Sequence, residues 1–186
     1  MSTEVLVSRD RLASRVAELG EHLSGEFGDE VPVVLGVLHG AFPFLADLVR
    51  AMSCTLEVDF LALTRFGEGG KVRLAHDATT DITNRHVILV EDIVDTGLTL
   101  RSLLAQIEAR RPASITTVTL LDKATRRLVS VPVDHAGFVI GDEFVLGYGM
   151  DWEGQFRNLR DLWAVLDFQA FAADPGALHA LAFAQD

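Results

Sequence analysis

One stretch of the sequence, VILVEDIVDTGLTL at residues 87–100, constrains the fold and chemistry of this chain most strongly. Its first residues are apolar and predict a buried strand, which leads to two adjacent carboxylates, Glu91 and Asp92. An Asp-Thr-Gly turn follows at residues 95–97 and leads into a predicted helix. Because such a turn presents free backbone N–H groups at the positive end of a helix dipole, it is typical of a phosphate site.

The acidic residues around this turn suggest two further roles. Glu91 and Asp92 are suited to hold sugar hydroxyls or a hard cation such as Mg²⁺. Asp95 lies between these acids and the predicted phosphate site, where a general acid or base is expected. The alternative is that Glu91 and Asp92 are solvated loop acids and that Asp95 only caps the helix. The sequence contains neither a Walker phosphate loop nor a complete Gly-x-Gly-x-x-Gly dinucleotide fingerprint.

The rest of the chain alternates between strand and helix patterns. Helices are predicted at residues 12–27, with Ser8 as N-cap, at residues 42–52 and after Thr99. Strands are predicted at residues 31–38, 56–63, 86–90, 115–121, 136–140, 144–148 and 162–166. This alternation predicts an α/β fold with a mainly parallel sheet, in which ligands bind at the carboxyl ends of the strands. Residues 65–71 hold three glycines and three charged residues and predict a loop.

Length and composition predict one domain followed by a short tail. With 186 residues, 49 % of them apolar, the chain can bury one hydrophobic core of ordinary size. We predict a catalytic domain at residues 1–168. Residues 169–186 are predicted to form a C-terminal helical tail without catalytic content, because their composition changes to a short Ala/Leu pattern that begins at Asp174-Pro175.

Charge and cysteine content limit the partners and the compartment. The net charge of −11 argues against a nucleic acid or an anionic membrane surface as partner. The longest run without a formal charge, residues 31–46, contains two prolines and is shorter than the roughly 20 residues of a membrane span. The single cysteine, Cys54, is predicted to be a small core residue and is consistent with a reducing compartment. A cytoplasmic location is therefore expected.

Four segments together resemble one known family. VLHGAFPFLADLVR, VEDIVDTGLTL, LLDKATRR and GDEFVLGYGMDWEGQFRNL occur in the order and at the spacing of the hypoxanthine-guanine phosphoribosyltransferases. These belong to the type I phosphoribosyltransferases, and the resemblance runs from about Val5 to Asp167. It implies a mainly parallel sheet flanked by helices, with a small hood region over the active site. It also implies Mg²⁺-dependent transfer from ribose-phosphate diphosphate (PRPP) to hypoxanthine or guanine, in a homodimer or homotetramer.

The resemblance also implies a role for individual residues. Residues implied to bind the purine are Lys123 at its O6, Phe144 by stacking, Val145 through its backbone, and Asp151. Asp95 would be the general base at purine N7. Residues implied to bind the ribose phosphate are Glu91, Asp92, Asp95, Thr96, Gly97, Leu98 and Thr99. Residues implied to bind pyrophosphate are Leu38, His39, Gly40 and Arg157, with a cis peptide often present in that first loop. Residues implied to bind metal are Glu91, Asp92 and Asp151.

Several of these residues have simpler interpretations, and two segments depart from the family pattern. His39 by itself is an ordinary loop histidine, Lys123 part of a charged surface run, and Phe144 a core residue. The predicted lid at residues 65–71 is shorter than in many relatives, and Gly141-Asp142-Glu143 replaces a more basic tripeptide, which would alter base preference. Two alternative functions stay open, a PRPP-binding regulator of the same fold and a xanthine-preferring phosphoribosyltransferase.

Overall fold

The protein is described by a computed structural model that covers residues 2–66 and 71–183, of which 65, 66 and 71–73 are described by their backbone alone. The strands of this part of the chain are β1 (Thr3–Val7), β2 (Val33–Leu38), β3 (Glu57–Phe66), β4 (Lys71–His76), β5 (His86–Val94), β6 (Ser114–Asp122), β7 (His135–Val139), β8 (Phe144–Leu146) and β9 (Leu162–Val165). Its α-helices are α1 (Arg9–Phe27), α2 (Phe42–Ala51), α3 (Leu98–Glu108), α4 (Phe168–Ala173) and α5 (Gly176–Phe183). None of these helices is both long and apolar enough to cross a membrane.

Six strands form the central sheet, in the order β4-β3-β2-β5-β6-β7. Every neighbouring pair is parallel except β3 and β4, which are antiparallel at one edge. Val34 and Ile88 pack in one apolar cluster with α1 and α2, whereas the adjacent Val33 and Val87 pack with α3 on the other face. Strands buried on both faces are characteristic of parallel sheets covered by helices, and the predicted α/β class is confirmed.

A second sheet, in the order β1-β9-β8, forms the hood that the resemblance implied. Its pairs are antiparallel and join the first strand of the chain to the last. The C-terminal helices pack on this sheet, because Phe171 of α4 and Leu178 of α5 are buried in one cluster with Phe156 and Trp163. The segment after residue 168 is therefore part of the apolar core of the hood. The functional division of the chain at that residue stays a prediction.

The structure adds two strands that were not predicted, β1 and β4, and differs from the other predictions at the ends of elements. The strand predicted at residues 86–90 continues to Val94, because Glu91 and Ile93 still pair with β6. The predicted loop at residues 65–71 is shorter, since β3 reaches Phe66 and β4 starts at Lys71, and its centre at 67–70 lies outside the described residues. The predicted N-cap is confirmed, because Ser8 Oγ accepts a hydrogen bond from Arg11 N at 3.4 Å. Cys54 is partly buried against the larger core cluster.

Candidate active site

The two adjacent acids lie at the carboxyl end of β5 and are not solvated. Glu91 is only 5 % exposed, and its Oε1 is buried without a hydrogen-bond partner among the described residues. Burial, together with the neighbouring charge of Asp92, raises the pKa of Glu91 to about 8. Burial also raises the pKa of Asp92. Because both carboxyl groups are desolvated by burial, the interpretation of these residues as solvated loop acids is wrong. A bound cation or hydroxyl donor would stabilise their charged forms.

The turn after β5 has the geometry of an anion site. Gly97 precedes α3 with φ +83°, and a methyl group in its place would lie 3.0 Å from the carbonyl oxygen of Val129. Thr96 Oγ1 accepts a hydrogen bond from Leu98 N at 3.4 Å. Among the described residues, no atom accepts a hydrogen bond from the backbone N–H of Thr96 or Gly97. These two groups are thus available to an anion at the start of α3.

Arg127 fixes the start of this turn from outside. Its Nη1 donates to the carbonyl oxygen of Val94 at 2.6 Å and also to that of Asp95. Its Nη2 pairs with the Asp122 carboxylate, and both side chains of this pair are largely buried. The sequence alone predicts no role for Arg127 at this site. The carbonyl groups of Val94 and Asp95 are turned toward Arg127, which does not line the cavity, and the N–H groups of Thr96 and Gly97 stay available to a ligand.

A second turn, after β2, approaches the acids closely. The peptide bond between Leu38 and His39 is cis, as the resemblance implied, and His39 is exposed. A methyl group on Gly40 would lie 1.5 Å from Asp92 Oδ2. A methyl group on Gly149, whose φ is +103°, would lie 1.9 Å from the carbonyl oxygen of Gly40. Only glycine allows three chain segments to meet here, and Gly149 was not singled out for this role in the sequence.

Asp151 and Arg157 form an ion pair next to this junction. Arg157 Nη2 lies 2.6 Å from Asp151 Oδ1, and Arg157 Nη1 donates to the carbonyl oxygen of Gly149 at 2.6 Å. Asp151 Oδ2 accepts a hydrogen bond from Gly154 N at 2.8 Å. The charges of Arg157 and Asp151 both act on the pKa of Asp92, so the pair lies within electrostatic reach of this acid at the end of β5. One cation and several carboxylates therefore border the same end of the site.

The opposite end of the site is more apolar. Lys123 is 7 % exposed, and its Nζ donates to the carbonyl oxygen of Glu143 at 2.6 Å. Phe144 remains 38 % exposed, and its ring meets that of Phe168 edge to face at a centroid distance of 5.3 Å. An ammonium group next to an exposed aromatic face is suited to a flat ligand with a hydrogen-bond acceptor. Neither the surface interpretation of Lys123 nor the core interpretation of Phe144 is correct.

Asp95 lies between the two ends. Its Oδ1 is 2.7 Å from Arg126 Nε, and Arg126 also pairs with Asp142. The Asp95 side chain is 40 % exposed, and therefore accessible to a ligand. The sequence alone predicts no role for Arg126 or Arg127. Both contact residues about 30 positions away in the chain, and such distant contacts leave no recognisable pattern in the sequence.

A single cavity of about 670 Å³ joins these groups. This volume is within the range of small-molecule sites. Leu38, His39, Gly40 and Arg157 do not line it, although Gly40 contacts Asp92 and Arg157 contacts Asp151 at its edge. The predicted site residues that line it are Glu91, Asp92, Asp95, Thr96, Gly97, Leu98, Thr99, Lys123, Phe144, Val145 and Asp151.

Comparisons with known proteins match this architecture. A family model described as "Phosphoribosyl transferase domain" matches residues 3–153. Over 160 residues, covering 84 % of this chain and 87 % of the relative, the sequence is 42 % identical to the hypoxanthine-guanine phosphoribosyltransferase of Lactococcus lactis. It is 41 % identical to part of the bifunctional protein TilS/HprT of Listeria innocua, of which the match covers 25 %.

Solved structures give the same result. A hypoxanthine-guanine phosphoribosyltransferase from Bacillus anthracis, with a HEPES molecule in its active site, superposes with a TM-score of 0.84 at 38 % identity. That match covers 87 % of this chain and 98 % of the other. The hypoxanthine phosphoribosyl transferase of Trypanosoma cruzi superposes with a TM-score of 0.87 at 34 % identity, covering 93 % and 95 %.

These matches and the site define a phosphoribosyltransferase. The chain belongs to the hypoxanthine-guanine phosphoribosyltransferase family. It is thus a transferase of purine salvage.

Proposed function

We propose that the protein transfers the 5-phosphoribosyl group of PRPP to N9 of a 6-oxopurine, hypoxanthine or guanine. The products would be the nucleoside monophosphate and pyrophosphate. The observation that carries this proposal is the cavity itself, which has free N–H groups of a helix N-terminus at one end and Lys123 with Phe144 at the other. The relatives from Lactococcus lactis and Bacillus anthracis are both named hypoxanthine-guanine phosphoribosyltransferases, which supports hypoxanthine or guanine as the purine substrate.

The 5-phosphate would bind at residues 95–99. The backbone N–H groups of Thr96 and Gly97, together with the start of α3, offer donors and a positive dipole end to the phosphate oxygens. The hydroxyls of Thr96 and Thr99 would add two more donors. Glu91 and Asp92 would accept hydrogen bonds from the ribose hydroxyls, which would provide the partner that Glu91 Oε1 lacks.

Mg²⁺ is the proposed cofactor, held by Glu91, Asp92 and Asp151. The residues fit a hard cation, because their oxygen donors are the ligands Mg²⁺ prefers and burial makes the carboxylates at the end of β5 costly without positive charge. When bound, the ion would neutralise charge on the diphosphate leaving group. Arg157 would stabilise the same developing negative charge, while the N–H groups near Leu38, His39 and Gly40 would bind the pyrophosphate oxygens.

Asp95 is the proposed general base. The purine N9 attacks C1′ of the ribose as the C1′–O bond to pyrophosphate breaks, with inversion at C1′. The purine must lose a proton in this step, and this proton would pass from its N7 to the Asp95 carboxylate. Arg126, which pairs with Asp95 in the free protein, would hold this carboxylate in position beside the purine. The carboxylates beneath the ribose would stabilise the positive charge that forms on its ring.

The choice of base is tested by product formation from PRPP and Mg²⁺ with hypoxanthine, guanine, xanthine and adenine in parallel. We expect nucleotide from hypoxanthine or guanine and none from adenine. Xanthine as the best substrate would favour a xanthine-preferring enzyme. The absence of product from every purine, combined with measurable PRPP binding, would favour a PRPP-binding regulator.

Lys123 is expected to set the preference for a 6-oxo group. Its Nζ uses one of three donors on the Glu143 carbonyl, which leaves donors for the purine O6. We predict that Lys123→Met lowers kcat/KM for hypoxanthine by roughly 10–100-fold, because a buried hydrogen bond is lost. Steady-state kinetics with hypoxanthine and adenine would measure this change. An unaltered ratio of the two kcat/KM values would contradict the assignment.

Phe168 is expected to support purine stacking through Phe144. The edge-to-face contact between these rings holds Phe144 in place, and such pairs contribute about 0.5–1.5 kcal/mol. We predict that Phe168→Ala raises KM for the purine roughly 2–10-fold with a smaller change in kcat. Phe183→Ala is the matched control, since Phe183 is a similarly exposed ring of the C-terminal segment that contacts His179 instead. Equal effects of both substitutions on KM would contradict this role.

The protein is proposed to act as a cytoplasmic homodimer or homotetramer on small-molecule substrates, with no nucleic-acid or membrane partner. The net charge of −11 supports the absence of a nucleic-acid partner. In the hypoxanthine phosphoribosyl transferase of Trypanosoma cruzi, the C-terminal region has a role in oligomeric state and enzymatic activity. Light scattering of the purified protein would measure the number of subunits.

A further inference from the structure

A cluster of two histidines and one glutamate lies away from the active site. His22 and Glu26 are one helical turn apart on α1, and His135 is the first residue of β7. One potential ligand atom of each side chain lies within 4.8 Å of the other two. His135 pairs with Val118 of β6, which pairs with Val90 of β5, so it lies level with the middle of the sheet and two strands away from β5. None of the three residues of the cluster lines the cavity. The cluster is therefore distinct from the proposed Mg²⁺ site.

The three side chains are already close to a common point. Glu26 Oε2 lies 3.1 Å from His135 Nε2, while its Oε1 is 3.3 Å from the hydroxyl of Thr116 on β6. The rings of His22 and His135 meet edge to face at a centroid distance of 4.9 Å. Thr116 thus orients the carboxylate, in the way that outer hydrogen bonds orient metal ligands.

The backbone elements that carry the cluster are also fixed to each other. Arg15, on α1, donates hydrogen bonds to the carbonyl oxygens of Ala136 and Gly137 at 2.9 and 3.0 Å. These carbonyls directly follow His135 on β7. A ligand at the cluster would therefore meet a largely preformed arrangement, which reduces the ordering cost of binding.

We propose that His22, Glu26 and His135 bind a divalent transition-metal ion of the Zn²⁺ class, with water in the remaining position. Two imidazole nitrogens and one carboxylate oxygen are a common zinc donor set. Bonds of about 2.0–2.1 Å in a tetrahedron separate ligand atoms by roughly 3.3 Å, so small side-chain rotations suffice. Mg²⁺ prefers oxygen donors and would not compete here. The ion would fasten α1 to β7, which is an edge strand of the central sheet.

Calorimetric titration tests the proposal with the 186-residue protein, freed of metal by a chelator. Zn²⁺ is added in the presence of millimolar Mg²⁺, which occupies the acidic groups of the active site. We expect one ion to bind per chain with micromolar or tighter affinity. His22→Gln and His135→Gln should each weaken binding by at least about 10-fold, because each removes one of three ligands. His179→Gln, which removes an exposed histidine outside the cluster, should leave binding unchanged.

Thermal unfolding provides a second readout. At a free Zn²⁺ concentration of about 100 times Kd, Tm of the unaltered protein should rise by roughly 5–10 °C. Glu26→Gln retains an amide oxygen for Thr116, so its Tm without zinc should stay near that of the unaltered protein while the zinc-dependent rise is lost. No zinc binding, or binding equal in the unaltered protein and in His22→Gln or His135→Gln, would overturn the proposal.

Discussion

Replacement of Asp95 by alanine is expected to lower kcat by about 10²–10⁴-fold, with a much smaller effect on PRPP affinity. A positioned group that accepts a proton acts in the transition state, whereas most of the proposed PRPP contacts come from the backbone around it. The Asp95 carboxylate borders the cavity between its phosphate and purine ends, where N7 of a bound purine is proposed to lie. Steady-state kinetics, together with PRPP binding measured by calorimetry, separate the two effects.

Asp142→Ala is the matched control for this prediction. Asp142 is the other carboxylate that pairs with Arg126, but its side chain is 74 % exposed and does not line the cavity. Its replacement removes the same kind of ion pair, and we expect kcat to change by less than about threefold. A comparable loss in both variants would mean that Asp95 acts by placing Arg126 and not as the base.

Gly149→Ala is expected to lower kcat/KM for PRPP by about 100-fold or more. The added methyl group would lie 1.9 Å from the carbonyl oxygen of Gly40, and backbone atoms cannot rotate away as a side chain can. Separation of the two segments would displace Gly40 from Asp92 and would move Arg157, which donates to the Gly149 carbonyl. A displacement of about 1 Å in such a site costs on the order of 100-fold in rate.

Gly154→Ala separates this contact from backbone strain. Gly154 also has a positive φ, +80°, but a methyl group there would meet nothing within 4 Å. Both substitutions carry the cost of an unfavourable φ, roughly 1–3 kcal/mol, and both should lower Tm. Only Gly149→Ala should also impair PRPP use. Similar kcat/KM values for PRPP in the two variants would show that close packing of these segments is not needed for activity.

The parts of the site that the sequence predicts are those with a local pattern. The segment from Glu91 to Thr99 combines strand, turn and helix signals within a few residues, and the structure brings its acids and its free N–H groups to one cavity. The family resemblance was needed for Lys123 and Phe144, because each has an ordinary structural explanation when considered alone. Their proximity depends on the hood sheet and the central sheet lying next to each other.

Other features depend on contacts between distant segments and left no recognisable signal. Arg127 anchors the turn after β5 from more than 30 positions away in the chain. The five residues of β1 are too few to show a clear strand period, and their partner β9 lies near the other end of the chain. The Ala/Leu pattern of the C-terminal segment predicted a helix, but its packing against Trp163 and Phe156 requires the hood to exist first.

The pairing of β1 with β9 has a consequence for synthesis on the ribosome. The turn that is proposed to bind the 5-phosphate is complete once β5, α3 and the segment up to Arg127, which anchors the turn, have been made, and the central sheet can begin to assemble. The hood cannot form then, because β9 emerges after every strand of the central sheet and must pair with β1, which precedes all of them. Domains acquire structure as the chain emerges, and pairing between distant segments forms slowly. The nascent protein would therefore acquire its phosphate-binding half first, and the hood that borders the purine end only after β9 has emerged.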